Sequence, residues 1–287
     1  MIPAAVEYTR PSTVDAAIEV LADEDAKVLA GGQSLIPLLR LRLSAPTVLV
    51  DLGALADLRG VRQDGDDLVI GAMTTYDAIL RDPLVGRYAP LLAAATQTVG
   101  DRQVRHLGTI GGSLAHADPA GDLPAVSLAL DATMEVTGAS GTRSVPATEF
   151  FVDYLTTALA PGELLTAVRV PKREGWPYRY EKFNRVAQGW ALVGVAALCR
   201  RDNGNIADIR VALANMAPTP VRATAVETAL TGAQAHHTAI IPACDRAAEG
   251  TSPADDLSAS AGYRRHLACV LTKRAITGCI AGYVDET

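Results

Sequence analysis

Two short segments carry residue types that could do chemistry together. The first is Ala30-Gly31-Gly32-Gln33-Ser34-Leu35, and the second runs from Thr109 to Asp122 as Thr-Ile-Gly-Gly-Ser-Leu-Ala-His-Ala-Asp-Pro-Ala-Gly-Asp. Paired glycines let consecutive backbone N–H groups converge on an anion, and a helix that follows adds the positive end of its dipole. The second segment has its own pair, Gly111-Gly112, with hydroxyls at Thr109 and Ser113 and a carboxylate at Asp122. A carboxylate at a helix start suits the ribose or adenine edge of a nucleotide. One glycine pair alone is most simply a turn. Two of them, one in each half of the N-terminal part, are better explained by a large ligand with a diphosphate between them.

Other phosphate and catalytic motifs are excluded by spacing. No two of the 24 glycines lie two residues apart, so the dinucleotide fingerprint G-x-G-x-x-G cannot occur. Gly60 and Gly65 have P-loop spacing, but Asp66 stands where the lysine must be. There is no G-x-S-x-G elbow and no zinc-binding H-E-x-x-H. Cys199, Cys244, Cys269 and Cys279 contain no C-x-x-C pair, which argues against an intrinsic iron–sulfur cluster and against a secreted disulfide framework. Of five histidines only His116 falls in a segment that reads as a site; His236-His237 are read as surface residues.

The 287 residues suggest about two domains. Hydrophobic residues at 49% and charged residues at 20% describe a globular chain with a sizeable core rather than a disordered one. The net charge of −6 disfavours nucleic acid as a partner. No apolar run is long enough to span a bilayer, and the N-terminus lacks a secretion-signal pattern, so the expected location is cytoplasmic.

The elements that must position the two segments can be read from pattern. Ser12-Thr13 begins a helix whose Val14, Ala17, Ile18 and Leu21 share a face. A strand at 27–30 leads through the first glycine pair into a helix with Pro37 in its first turn, and a strand at 48–50 follows. Further on, Leu68 to Ile70 reads as a strand, Thr74 as the cap of a helix through Leu80, 91–99 as a helix, and 108–121 as a glycine-rich passage. Leu123 to Leu130 reads as a buried helix, Gly138 to Gly141 as a hairpin turn, and 163–170 as a strand. After a polar break at 172–177, three strands follow over 178–185, 191–200 and 206–216. An Asn203-Gly204 turn joins the last two, and alanine-rich helices close the chain. The class is α+β.

The residues from Ala30 to Leu35 and from Thr109 to Asp122 resemble the two flavin-binding loops of the FAD-binding medium subunits of molybdenum hydroxylases. The carbon-monoxide dehydrogenase medium subunit is the nearer type, and the FAD domain of xanthine dehydrogenase the more distant one. The resemblance runs along the whole chain and includes 100–106, Tyr180 to Phe183, Arg185 and 190–196.

It implies the FAD-binding fold of the vanillyl-alcohol oxidase type, with two α/β subdomains (about 1–55 and 56–173). A C-terminal domain, 174–287, would hold a three-stranded antiparallel sheet plus helices. It further implies that Leu29, Ala30, Gly31, Gly32, Gln33, Ser34, Leu35 and Ile36 cradle the FAD diphosphate. Thr109, Ile110, Gly111, Gly112 and Ser113 would take its second side, with His116 and Asp118 in the same loop. Asp122 would hold the ribose or adenine part, and Leu165 and Lys182 would line the flavin. Two departures stand out: Ser113 where many relatives carry asparagine, and Gln188-Gly189 before Trp190 where many have Gly-Asp.

The function implied is electron transfer. A molybdenum cofactor on a large partner subunit would hydroxylate the substrate. [2Fe–2S] clusters on a small subunit would carry the electrons to FAD here, and an external acceptor would take them. A dimer of heterotrimers is the implied assembly. On that reading this chain needs no catalytic acid, base or metal ligand. The alternatives are a stand-alone flavin-dependent oxidoreductase, with His116 or Tyr154 exchanging protons, and an assembly subunit that has lost flavin; the intact glycine pairs count against the second.

Overall fold

A computed structural model describes residues 2–281. The chain opens with a parallel three-stranded layer made from β1 (Glu7–Thr9), α1 (Val14–Leu21), β2 (Ala26–Leu29), α2 (Leu35–Leu41) and β3 (Val48–Asp51). The strand order is β1-β3-β2. Thr13 caps α1 by accepting from the Ala16 amide at 3.2 Å, and Ala17, Ile18 and Leu21 are buried, as their spacing requires. Two 3₁₀ turns, Leu52–Ala54 and Ala56–Leu58, lead out of this layer.

Next come β4 (Val61–Asp64), β5 (Asp67–Gly71), α3 (Tyr76–Arg81), α4 (Pro83–Tyr88), α5 (Pro90–Gln97), α6 (Arg102–Leu107), α7 (Ile110–His116) and α8 (Asp122–Ala129). After them follow β6 (Thr133–Gly138), β7 (Gly141–Pro146), α9 (Ala147–Phe150), β8 (Phe151–Asp153), β9 (Thr156–Thr157) and β10 (Leu164–Pro171). An antiparallel sheet of order β4-β5-β10-β6-β7 results, with β8 and β9 as a separate hairpin. All eight residues of α8 are buried, because helices and sheets surround it.

Two local expectations are corrected. The cap of α3 is Thr75, not Thr74, and it accepts from the Ala78 amide at 3.2 Å. Thr74 is instead buried, its hydroxyl bonded to both the amide and the carbonyl of Gly60, at 2.9 and 3.1 Å. The glycine-rich passage 108–121 is no open loop, since its glycine pair lies inside α7.

The last part holds β11 (Tyr178–Phe183), β12 (Val193–Asp202), β13 (Asn205–Ala214), β14 (Val221–Arg222), α10 (Thr224–Leu230), α11 (His237–Cys244) and α12 (Ala261–Ala281). The three expected strands are joined by a fourth of two residues, β14, along the edge of β13. Asn203 and Gly204, at φ 48 and 82°, make the tight turn that their types favour. Both faces of this sheet are covered. Ala196, Leu198, Ala212 and Ala214 join the core built on α5 and α8, whereas Val193, Val195, Ala197, Val211 and Leu213 join the core beneath α10 to α12. That two-sided burial explains why β12 reads as a continuous apolar run.

Asp131 ties the layers together. Its carboxylate accepts from Arg173, Arg210 and Arg222 at 2.9, 3.1 and 2.8 Å.

Candidate functional site

The first glycine pair leaves the C-terminal end of β2 and enters α2. Gly32 lies at φ 70°, in the left-handed region where a side chain would be strained, and it is buried. Its carbonyl accepts from the Ile36 amide at 3.0 Å, and the Gln33 side chain donates to the Gly31 carbonyl at 3.1 Å. The amides of Gly31, Gly32, Gln33 and Ser34 have no protein acceptor among the described residues. Ser34, although it precedes the helix, makes no capping bond with its side chain. Four consecutive donors left unpaired at a helix entrance are costly unless water or an anion takes them. A diphosphate fits that need.

The second pair is built differently. Thr109 caps α7, its hydroxyl accepting from the Gly112 amide at 3.1 Å and its carbonyl from Ser113 at 3.1 Å. The Ile110 and Gly111 amides donate to the carbonyls of Thr74 and Ala72. Glycine is needed here for close packing: a β-carbon on Gly111 would lie 2.5 Å from that of Ala72. The two loops are neighbours in space. A β-carbon on Gly31 would stand 2.1 Å from the Leu107 carbonyl oxygen, and one on Gly112 would stand 3.4 Å from the Ala30 β-carbon. Residues some 80 positions apart in the chain thus form one wall, and each wall depends on glycine.

Leu29 ends β2, half-buried, and Leu35 begins α2 with Ile36 exposed beside Gly32. His116 is the last residue of α7, half-buried, and the chain turns at Ala117 with φ 52°. Asp118 accepts from the Ala120 amide at 2.9 Å, stabilising that turn. Leu165 is 3% exposed in β10, within the core against which α7 packs. Tyr154 is exposed at the tip between β8 and β9. His236 and His237 are both exposed, as read from the sequence.

Asp122 and Lys182 meet each other. The Lys182 Nζ donates to Asp122 Oδ2 at 2.8 Å and to the Thr98 carbonyl at 3.2 Å, and both charged side chains are buried. The Tyr180 hydroxyl donates to the other carboxylate oxygen, Oδ1, at 2.5 Å. Burial pushes the Asp122 carboxyl above its ordinary value, and the Lys182 ammonium opposes that shift. Burial, with the Asp122 charge adding to it, holds the Tyr180 phenol well above its ordinary value, so it stays a donor. Tyr180 was singled out in the sequence only as part of a resembling segment. Its available signal was the two-residue spacing to Lys182, which puts both on one face of β11.

The family described as the FAD binding domain in molybdopterin dehydrogenase matches residues 4–173, and the CO dehydrogenase flavoprotein C-terminal domain matches 178–278. The chain is similar to the carbon monoxide dehydrogenase medium chain of Hydrogenophaga pseudoflava, 39% identical over 98% of this chain and 99% of that one. It is also similar to the nicotine 6-hydroxylase medium subunit of Paenarthrobacter nicotinovorans, 35% identical over 95% and 96%. Among solved structures, the carbon monoxide dehydrogenase from Hydrogenophaga pseudoflava superposes with a TM-score of 0.96 at 41% identity. It covers 98% of this chain and 99% of that chain. Quinoline 2-oxidoreductase from Pseudomonas putida 86 gives 0.94 at 35% identity, with the same coverage. Two glycine-built loops meeting face to face, and matches along nearly the full chain, place this protein in the family of FAD-binding medium subunits of the molybdenum hydroxylases.

Proposed function

We propose that this chain is the electron-transfer subunit of a molybdenum hydroxylase. A small [2Fe–2S] subunit would be its electron donor and an external acceptor its outlet, beside a large subunit bearing the molybdenum cofactor. FAD, when bound, supplies the redox chemistry that links one-electron donors to that acceptor. The chain's own residues bind and orient it. The amides of Gly31 to Ser34 hold the diphosphate, with Leu29, Ala30, Leu35 and Ile36 shaping the cradle. Thr109 to Ser113 close the second side, and His116, Asp118, Asp122, Leu165 and Lys182 complete the site.

Residues 1–173, with subdomains at about 1–55 and 56–173, are assigned as the FAD-binding domain, and 174–287 as the C-terminal domain. Two copies of a three-chain unit, in the cytoplasm, are the proposed assembly. No helix among the described residues is long and apolar enough to cross a membrane, and no group of three or more metal-ligating side chains occurs among them.

The observation that carries this reading is the run of four unpaired amides at Gly31 to Ser34, against the wall formed by Leu107 and Gly108. The test is the flavin content of Gly32→Val and Gly111→Val in the purified complex. The first forces a strained backbone, and the second collides with Ala72. Both should lose flavin while the partners' iron–sulfur absorbance remains. Full flavin content in folded variants would overturn the site.

A further inference from the structure

Thr98, Asp122 and Lys182 lie far apart in sequence, yet one ammonium joins them. Lys182 Nζ bonds the Thr98 carbonyl and the Asp122 carboxylate. Thr98 stands immediately before residues 99–121 and Asp122 immediately after. That segment contains α6 and α7, and it supplies the Leu107 and Gly108 atoms against which Gly31 packs. Lys182 therefore closes the base of the excursion that carries the second flavin loop, and it does so from β11.

We propose that Tyr180 is a positioning residue for the FAD site. By donating to Asp122 it fixes the carboxylate that anchors Lys182, so that the C-terminal sheet sets the placement of residues 99–121 against the first loop. This rests on the FAD reading of the two loops. The physical reason is desolvation. A carboxylate shielded from water needs donors on both oxygens, and Lys182 serves Oδ2 while the Tyr180 hydroxyl serves Oδ1. Without the phenol, Oδ1 loses its partner and the carboxylate is free to rotate away from Lys182.

Room for this hydroxyl comes from a glycine on the neighbouring strand. Lys182 pairs with Gly194 across β11 and β12, and a β-carbon on Gly194 would lie 2.7 Å from the Tyr180 oxygen and 3.2 Å from the Ala214 β-carbon. Gly194→Ala therefore displaces the hydroxyl without removing any polar atom. Tyr180 itself packs against the core that includes α5, α8 and Ala214.

The experiment uses the full-length chain stripped of flavin and titrated with FAD, for wild type, Tyr180→Phe, Gly194→Ala and the double variant. Amide hydrogen exchange over 99–121 is followed in each. Each single variant should raise the FAD dissociation constant about tenfold, equivalent to about 1.4 kcal/mol. Exchange of the Ile110 to Ser113 amides should quicken, and the double variant should be no worse than either single. Should Tyr180→Phe fail to fold, Gly194→Ala alone decides on the same two measurements. Dissociation constants within twofold of wild type, with unchanged exchange, would overturn the proposal, as would fully additive effects. A lowered melting temperature with FAD affinity intact would reduce Tyr180 to a packing residue and equally overturn it. If wild type itself does not take up FAD, the reading of the loops fails instead.

Discussion

At the scale of single residues, Gly31 and Gly32 leave their amides without a protein acceptor, whereas the Gly111 and Gly112 amides donate to Ala72 and Thr109. Gly31, Gly32, Gly111 and Gly112 stand out in the sequence as two pairs, since one pair alone reads most simply as a turn. How the pairs differ was not legible: one exposes its amides and the other spends them on Ala72, Thr74 and Thr109. The Asp122 network was likewise hidden, since its members are 58 and 60 residues apart and only the packing of β11 on α5, and of α5 on α8, unites them.

A second carboxylate offers a pH-dependent test. Arg143 grips Glu163 at both oxygens, 2.8 and 2.6 Å, and holds its carboxyl below the ordinary 4.5. A depressed folded value means the stabilisation is complete above the unfolded value and is lost as pH falls through the folded one. Melting temperatures between roughly pH 5 and pH 3 should therefore fall more steeply for wild type than for Glu163→Gln, with the two converging at the acid end. Parallel curves would show that the pair contributes nothing.

Among elements, long apolar strands announced themselves and short ones did not. β12 carries a buried apolar run and an Asn-Gly turn joins it to β13, so both strands and their pairing follow from sequence. The ends expected at 191–200 and 206–216 lie one or two residues from those observed, and the bulge at Arg200 and Arg201 left no local signal. β1, β4 and β14 are two to four residues long and at most half-buried. They exist only because a neighbour offers an unpaired edge, which no local pattern encodes. Within β12 the alternation has an energetic consequence. Leu198 faces the core of α5 and α8, and it is 1% exposed. Leu198→Ala should lower unfolding free energy by about 2–5 kcal/mol in a denaturant titration, the range for large-to-small changes in a packed core. A loss under about 1 kcal/mol would mean that the cavity refills.

For the whole molecule, the clasp at Asp131 links segments far apart in sequence. Three guanidiniums from Arg173, Arg210 and Arg222 converge on one carboxylate that is a third exposed. Asp131→Ala takes away the shared acceptor, leaving Arg210 to Asp208 and Arg222 to Glu227, and it should cost roughly 1–3 kcal/mol, below the value for a fully buried pair. Calorimetry should show the C-terminal layers melting ahead of the rest; one unchanged transition would show that the apolar interface alone suffices. The order of strands has a temporal consequence as well. β10, the central strand of its sheet, is the last of its five to leave the ribosome, and the inner faces of α5 and α8 wait longer still for β12 and β13. Vectorial synthesis therefore leaves the sheet without its central strand until residue 171 has been made, with unpaired edges of the kind that favour aggregation. The lysine that joins Thr98 to Asp122 is likewise made only after that sheet is closed, so the second glycine segment gains its tie to β11 late.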